Sequence, residues 1–471
     1  MRQLNDDIIN QTTQRFPSVA RFSTESGAPR DAAAKTVGSL AESHRMQERL
    51  RELIPGGAHT YAKGWDQFPE DHPGVIVRGR GCHVWDADGN EYIEYGMGLR
   101  SVTLGHAYQP VVDAVRDSLG LGTNFTRPAA MELACAEKFL ELIPFAEMVK
   151  FTKDGSTANT AALKLARAHT GRQLVAICAD HPFFSYDDWF MCTTTMDGGT
   201  QARAREETLR FAYNDANELR ALFEANPGQI AAVFMEASRT SDPAPGFLEA
   251  VRALCTEHGA VLVFDEVITG FRWHKSGAHT LYGVTPDLAT FGKALANGFS
   301  VSALCGKREL MTLGSRDRDD DNVFLLSTTH GGEVPGLAAA IATMKVYQDE
   351  PVTEHLHRQG ERLRTGLTQV IKHHGLGHYF ELVGRGCNLL FGTRGPDREP
   401  SQLFRALFLQ QTLQRGVLMP SLVTSYSHSD ADVDRTVDVV DAALAVYARA
   451  LAEGVDQRTL ARPTRHVFDR R

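Results

Sequence analysis

The 471-residue chain predicts an α/β fold, with a large domain whose mostly parallel sheet is sandwiched by helices and a smaller α+β domain made from both chain ends. Two observations carry this. Between about 105 and 345, short apolar runs alternate with helical stretches. A strand, a helix and a second buried strand form a βαβ unit, which needs both sheet faces covered. Before that region the pattern alternates residue by residue, and after it helices and short strands mix. The divisions read from this are an arm over 1–38, a first piece of the small domain over 39–104, the large domain over 105–345, and a second piece of the small domain over 346–471.

In chain order, Leu40 to Ile54 reads as a helix that Pro55-Gly56-Gly57 stops. From Gly74 to Ile93 three alternating runs, separated by Arg78-Gly79-Arg80-Gly81 and Asp88-Gly89-Asn90, predict an antiparallel meander. Val149-Lys150-Phe151 leads through a glycine turn into a helix at Ala158–His169, and Leu174–Cys178 is a buried strand. Ile230–Met235 is another, then come a helix at Phe247–His258 and a strand at Val261–Phe264. Val346–His373 reads as one helix, followed by strands near Leu389-Leu390-Phe391 and Val417-Leu418, a final helix near Val433–Glu453 and an Arg-rich tail.

Composition narrows the function. The 50 Lys+Arg against 58 Asp+Glu leave a net charge of −8, whereas a phosphate backbone attracts a basic field, so nucleic acid is not the expected partner. Seven scattered cysteines with no CxxC pair argue for a reducing compartment and against a zinc or disulfide framework. The acidic start lacks the apolar run of a signal peptide, and no stretch approaches the roughly 20 apolar residues of a membrane span. The expectation is a cytoplasmic protein acting on small molecules, with no metal.

Ligands of an open parallel sheet sit at the carboxyl ends of its strands. Four such ends carry polar residues. At Asp154-Gly155-Ser156-Thr157 a strand turns into a helix whose first N–H groups and two hydroxyls can cradle a phosphate, or simply cap the helix. Glu236 follows Ile230–Met235, and Asp265 follows Val261–Phe264; a carboxylate there is partly desolvated and wants a cation or a strong donor. Asp265 can also be a turn cap, and Glu236 can pair with Arg239 or Arg272. Lys293, after Leu288–Phe291 and Gly292, can be a solvated loop residue or an imine-forming base. An anion cradle, a rim aspartate and a nucleophilic lysine together are what pyridoxal 5′-phosphate (PLP) requires.

Phe264-Asp265-Glu266-Val267-Ile268-Thr269-Gly270-Phe271-Arg272, Gly283-Val284-Thr285-Pro286-Asp287-Leu288 and Phe291-Gly292-Lys293-Ala294 resemble the class III PLP-dependent aminotransferases, in the branch of glutamate-1-semialdehyde aminomutase. The likeness covers about residues 40–450, including Trp85–Ile93 and Leu104-Gly105-His106. It implies fold type I and a homodimer with active sites at the interface. Lys293 matches the lysine that holds the cofactor aldehyde, and Asp265 the partner of the ring nitrogen. The resemblance places Val267 under the ring, Gly155, Ser156 and Thr157 at the phosphate, Glu236 near the cofactor's O3′ side, and an aromatic stack at Phe183. Thr329, with Thr328 as its rival, matches the threonine that reaches the neighbouring subunit's phosphate. Met97–Arg100 and Asn124–Arg127 match pocket-lining loops.

Departures bear on the substrate. Phe183-Phe184-Ser185 stands where the family usually has Tyr-His-Gly, and Glu236-Ala237 where it has Glu-Pro. The segment after Pro420-Ser421 lacks the mutases' Gln-Phe-Glu, and no arginine matches the carboxylate-gripping one of ornithine-type members. With the acids Asp66, Glu70, Asp71, Asp187 and Asp188, these features suggest an amino-sugar or aminoglycoside substrate from antibiotic biosynthesis, or else a solvated acidic surface. The leading expectation is an aminotransferase with ping-pong kinetics. A PLP isomerase (epimerase, racemase or aminomutase) using the same lysine is the alternative, and a non-catalytic relative is a third.

Overall fold

A computed structural model of the chain describes residues 37–181, 183–316, 323–455 and 462–468. The arm over 1–38 lies almost wholly outside the described residues. Labels are given to strands and to helices of eight or more residues.

The chain opens with α1 (Ala41–Leu53) and the antiparallel meander β1 (Ile76–Arg80), β2 (His83–Asp86) and β3 (Glu91–Glu94). Asp86 fixes the Asp-Gly turn, its Oδ1 accepting the N–H groups of Asp88 and Asn90. After α2 (Gln109–Leu119) and α3 (Ala130–Leu142) comes the large sheet. It is built from β4 (Met148–Thr152), β5 (Leu174–Cys178), β6 (Thr208–Phe211), β7 (Ile230–Met235), β8 (Val261–Glu266), β9 (Leu288–Phe291) and β10 (Ser302–Gly306). The order is β4-β10-β9-β8-β7-β5-β6, and only β10 runs antiparallel to its neighbours. The helices α4 (Gly155–Thr170), α5 (Ala216–Ala225) and α6 (Phe247–His258) belong to its crossovers. This is fold type I.

All six residues of β7 and all six of β8 are buried, as two covered faces demand. Alanines at 158, 161, 162 and 166 line the buried side of α4. Asp154 caps that helix by accepting the Thr157 N–H at 2.8 Å, and Gly171, in the left-handed region at φ +68°, ends it.

The remaining elements are α7 (Val334–Asp349), α8 (Val352–His373), β11 (Phe380–Val383), β12 (Leu390–Thr393), α9 (Gln402–Leu413), β13 (Val417–Leu418) and α10 (Asp430–Glu453). The single helix expected over Val346–His373 is two, because Pro351 has no N–H to continue the ladder of α7. Strands β6, β10 and β11 were not anticipated. Thr208–Phe211 carries an arginine, and Ser302–Gly306 holds small residues of low strand propensity. β13 pairs in parallel with β3, Val417 opposite Ile93, so the last strand among the described residues completes the first sheet. Tyr95, Leu363, Phe380, Phe408 and Tyr447 share the core beneath it. All seven cysteines are buried and unpaired.

Candidate active site

Asp265 and Lys293 come together because β8 and β9 are adjacent and parallel, with Asp265 in register with Thr290. Asp265 is 4% exposed. Its Oδ1 accepts the Val267 N–H at 2.8 Å and its Oδ2 accepts Asn159 Nδ2 at 2.8 Å. Asn159 in turn is locked by the Thr290 hydroxyl, which donates to its Oδ1 at 2.7 Å, and by the Phe184 carbonyl, which takes its other N–H at 2.8 Å. Burial nevertheless pushes the Asp265 carboxyl up to about 6, so the site wants one more cationic donor.

Lys293 follows Gly292, where a Cβ would stand 2.6 Å from Ser302 Oγ and would have to displace that hydroxyl. The lysine's backbone is left-handed at φ +42°, a strained conformation for a side-chain-bearing residue. Burial lowers its amine to about 8, against the pull of Asp265 and Glu236 and with the help of Arg100 and Arg272. Four residues on, Asn297 ties the loop down: its Oδ1 accepts the Leu104 N–H at 2.9 Å and its Nδ2 donates to the Gly105 carbonyl at 3.0 Å.

Val267 bridges two turns. A Cβ on Gly155 would meet its Cγ2 at 2.9 Å, and one on Gly292 its Cγ1 at 3.4 Å. At the start of α4, Ser156 is buried, and the N–H groups of Gly155 and Ser156 have no acceptor among the described residues. Thr157 is otherwise engaged: its hydroxyl bonds both Asp154 oxygens at 3.0 Å and the Tyr186 hydroxyl at 3.1 Å. Phe183 stands 47% exposed, edge-on to Phe190, while Phe184 fills the core. Thr328 and Thr329 lie exposed on a turn that Asn124 holds through the Thr329 carbonyl at 3.0 Å.

Glu236 is 6% exposed, and its carboxyl makes no hydrogen bond among the described residues. Burial, with Asp265 nearby, raises it to about 8. Its backbone N–H donates to His181 Nδ1 at 2.9 Å, and burial, with the Arg239 charge, pushes that imidazole well below its ordinary value. Neither Arg239 nor Arg272 pairs with it: Arg272 is fully buried and donates to the Arg100 carbonyl and the Thr103 hydroxyl, both at 2.8 Å. Met97, Gly98, Leu99 and Arg100 form a left-handed turn, at roughly 1–2 kcal/mol for each residue with a side chain.

Sequence reasoning missed Glu266, which is fully buried. Its carboxylate accepts the N–H groups of Ala278 (2.8 Å) and His279 (2.9 Å), the His279 ring at Nδ1 (3.0 Å) and the Thr269 hydroxyl. These donors outweigh burial and hold it below the usual carboxylate range. It also missed Asn159, whose only signal was an amide in an otherwise apolar helix face one turn past Ser156. Of the suspected rim acids, Asp71 accepts from Gln410, Asp187 from the Thr160 hydroxyl and Asp188 from the Gln201 N–H.

The family model for class-III aminotransferases matches residues 67–444. The chain belongs to the class-III aminotransferases. This aminotransferase is 30% identical to a 3-aminobutyryl-CoA aminotransferase of Cloacimonas acidaminovorans over 88% of its own length and 99% of the relative's. It is 33% identical to a glutamate-1-semialdehyde 2,1-aminomutase of Pelodictyon phaeoclathratiforme over 84% and 96%. Among solved structures, the FumI protein of Sphingopyxis sp. MTA144 in a PLP-bound form superposes with a TM-score of 0.80 at 29% identity, covering 88% of this chain and 98% of that one. Class III enzymes use PLP, and the residues here fit it. A buried carboxylate raised by burial can take a ring N–H, two free amide groups open a 16-residue helix, and a buried lysine of lowered pKa feels the charges of both Asp265 and Glu236.

Proposed function

We propose that this class III enzyme is an aminotransferase that moves an amino group between an amine donor and a carbonyl acceptor in two half-reactions. The observation that carries the reading is the register of β8 and β9, which sets Asp265 beside a lysine whose amine is partly neutral near pH 8. The cofactor, when bound, supplies an aldehyde that accepts the amino group and a ring that takes up the electron pair released with the α-proton. Asp265 holds the proton on the ring nitrogen, oriented by Val267 N–H and Asn159. Gly155 and Ser156 bind the phosphate at the head of α4, with the macrodipole favouring the anion. Lys293 would take and hold the proton released from the substrate carbon, acting as the acid–base group of the site.

We infer a homodimer in which Thr329 or Thr328 reaches the partner's phosphate. Both threonines are exposed, and large apolar side chains at Leu121 (67%) and Phe125 (51%) lie exposed beside Asn124, which binds their turn. No helix among the described residues is long and apolar enough to cross a membrane. The amino-sugar or aminoglycoside substrate rests on the sequence departures noted above. The isomerase reading draws on the aminomutase relative, since the same lysine serves both reactions.

The test is the absorption of the PLP-loaded protein with a panel of amines, aminoglycosides included. Conversion to the pyridoxamine form with release of a carbonyl product supports transamination; a spectral change that reverses with no carbonyl product assigns the isomerase. Lys293→Ala should slow conversion about 10²–10⁴-fold, the usual worth of a positioned acid–base group. Full turnover by that variant overturns the reading.

A further inference from the structure

Cys82, His83 and Asp432 bring three metal-ligating atoms within 4.8 Å of one another, apart from the residues assigned to amine transfer. Cys82 and His83 stand at the start of β2, and Asp432 lies in the first turn of α10. His83 and Asp432 are 349 residues apart in the chain, so only the fold assembles the group. Cys82 is 1% exposed, in the core that also holds Tyr95 and Val433. The side chains of His83 and Asp432 are 32% and 17% exposed, which leaves the group an opening to solvent.

Each ligand is held for the task. His83 Nδ1 lies 3.1 Å from Glu91 Oε1, and its Nε2 lies 3.1 Å from Asp432 Oδ1. A carboxylate behind the ring is what orients a ligating imidazole and turns its far nitrogen to the metal. Asp432 is divided in the same way: its Oδ2 accepts the Ser429 N–H at 2.9 Å and hydroxyl at 2.6 Å, while Oδ1 faces His83. Cys82 adds a soft sulfur, and thiolate, imidazole and carboxylate together suit zinc. Zinc bonds of about 2.0–2.3 Å at tetrahedral angles set neighbouring ligand atoms about 3.3–3.8 Å apart, a few tenths beyond the His83–Asp432 separation. His428, fully buried just before the Ser429 cap, accepts the Ser425 N–H at Nδ1, so its Nε2 carries the proton and meets no acceptor among the described residues. It feels the charges of Asp432 and His83, so this neighbourhood also holds a donor that the protein leaves unserved.

We propose that Cys82, His83 and Asp432 form a zinc site that clasps the start of β2 to the head of α10, with a fourth position open to water. Binding sends the thiol proton, and any proton on His83, to solvent. Without the ion, His83 is an ion pair between Glu91 and Asp432, and that is the competing account of the cluster. A second group, His373, His374 and Asp441, is more exposed and offers no sulfur, so dependence on Cys82 tells the two apart.

The experiment titrates zinc into the metal-stripped, PLP-loaded protein in competition with a chromophoric chelator, for the wild type, Cys82→Ser, His83→Gln, Glu91→Gln and His374→Gln. Glu91→Gln, which removes only the group behind the ring, should weaken zinc about 10- to 100-fold, and Cys82→Ser should weaken it further. His374→Gln should leave the affinity unchanged. Excess magnesium, which seeks oxygen ligands, should not displace the zinc. Free zinc at about 100 times its dissociation constant should shift the urea unfolding equilibrium of the wild type about 100-fold toward the folded state, and that of Cys82→Ser far less. Equal zinc affinity in the wild type and Cys82→Ser overturns the proposal. So does a wild type that binds no zinc, which leaves the ion pair alone, or one whose zinc is lost to magnesium or to His374→Gln. If Cys82→Ser does not fold, a His83→Gln protein that binds zinc as tightly as the wild type overturns it.

Discussion

Glu266→Gln probes the residue that holds the cofactor strand end in shape. The wild-type carboxylate accepts four donors, two on each oxygen: the N–H and ring Nδ1 of His279 on Oε1, the Ala278 N–H and Thr269 hydroxyl on Oε2. Replacing either oxygen with an NH₂ group turns two of these contacts into donor against donor. The histidine can change tautomer and the hydroxyl can rotate, but one backbone N–H, that of Ala278 or His279, is left buried and unpaired. An orphaned buried donor costs about 1–3 kcal/mol, and losing a charged acceptor adds to it, so a loss of about 2–4 kcal/mol is expected. Because the folded carboxyl lies below its ordinary range, its stabilisation is complete at neutral pH and disappears as pH falls through the folded value. Urea unfolding of the apo protein at pH 7 and pH 4 measures both points. A variant within about 0.5 kcal/mol of wild type at pH 7, or a gap that does not narrow in acid, refutes the assigned network.

Glu236→Gln should stabilise the apo protein. A carboxyl raised to about 8 opposes folding as pH climbs from the ordinary carboxylate range to 8, so the advantage, on the order of a few kcal/mol, should grow between pH 5 and 8 and then level; a pH-independent difference sinks it. Of Thr329→Ala and Thr328→Ala, the one that removes the partner's phosphate contact should raise the PLP dissociation constant about 10-fold or more while the other leaves it unchanged; if neither moves it, the turn does not serve the phosphate. Gly155→Ala should also weaken PLP binding, because its Cβ would press to 2.9 Å on Val267 Cγ2, and unaltered affinity would show that Val267 does not support the ring.

The sequence made the large sheet legible wherever both faces are covered: β5, β7 and the helix Phe247–His258 lie where continuous apolar runs and end signals put them. It failed where the pattern is short or small, as in Ser302–Gly306, whose strand exists because β4 and β9 flank it rather than because its residues favour it. Lys293 and Asp265 were readable because a charge directly after a buried strand has few bland explanations. Asn159 and Glu266 were not, because their roles depend on partners elsewhere in the sequence, Thr290 and His279, that only the fold brings near.

The pairing of β13 with β3 has a consequence for biosynthesis. The meander β1-β2-β3 leaves the ribosome long before β13, yet the N–H groups of Ile93 and Tyr95 find the Gly416 and Leu418 carbonyls only once that later strand has emerged. Until then the nascent chain carries an open strand edge above an unfinished apolar surface, the kind of template that recruits other chains. Products terminated before residue 416 would keep that edge permanently, and their damage would surface in the early meander, far in sequence from the lesion.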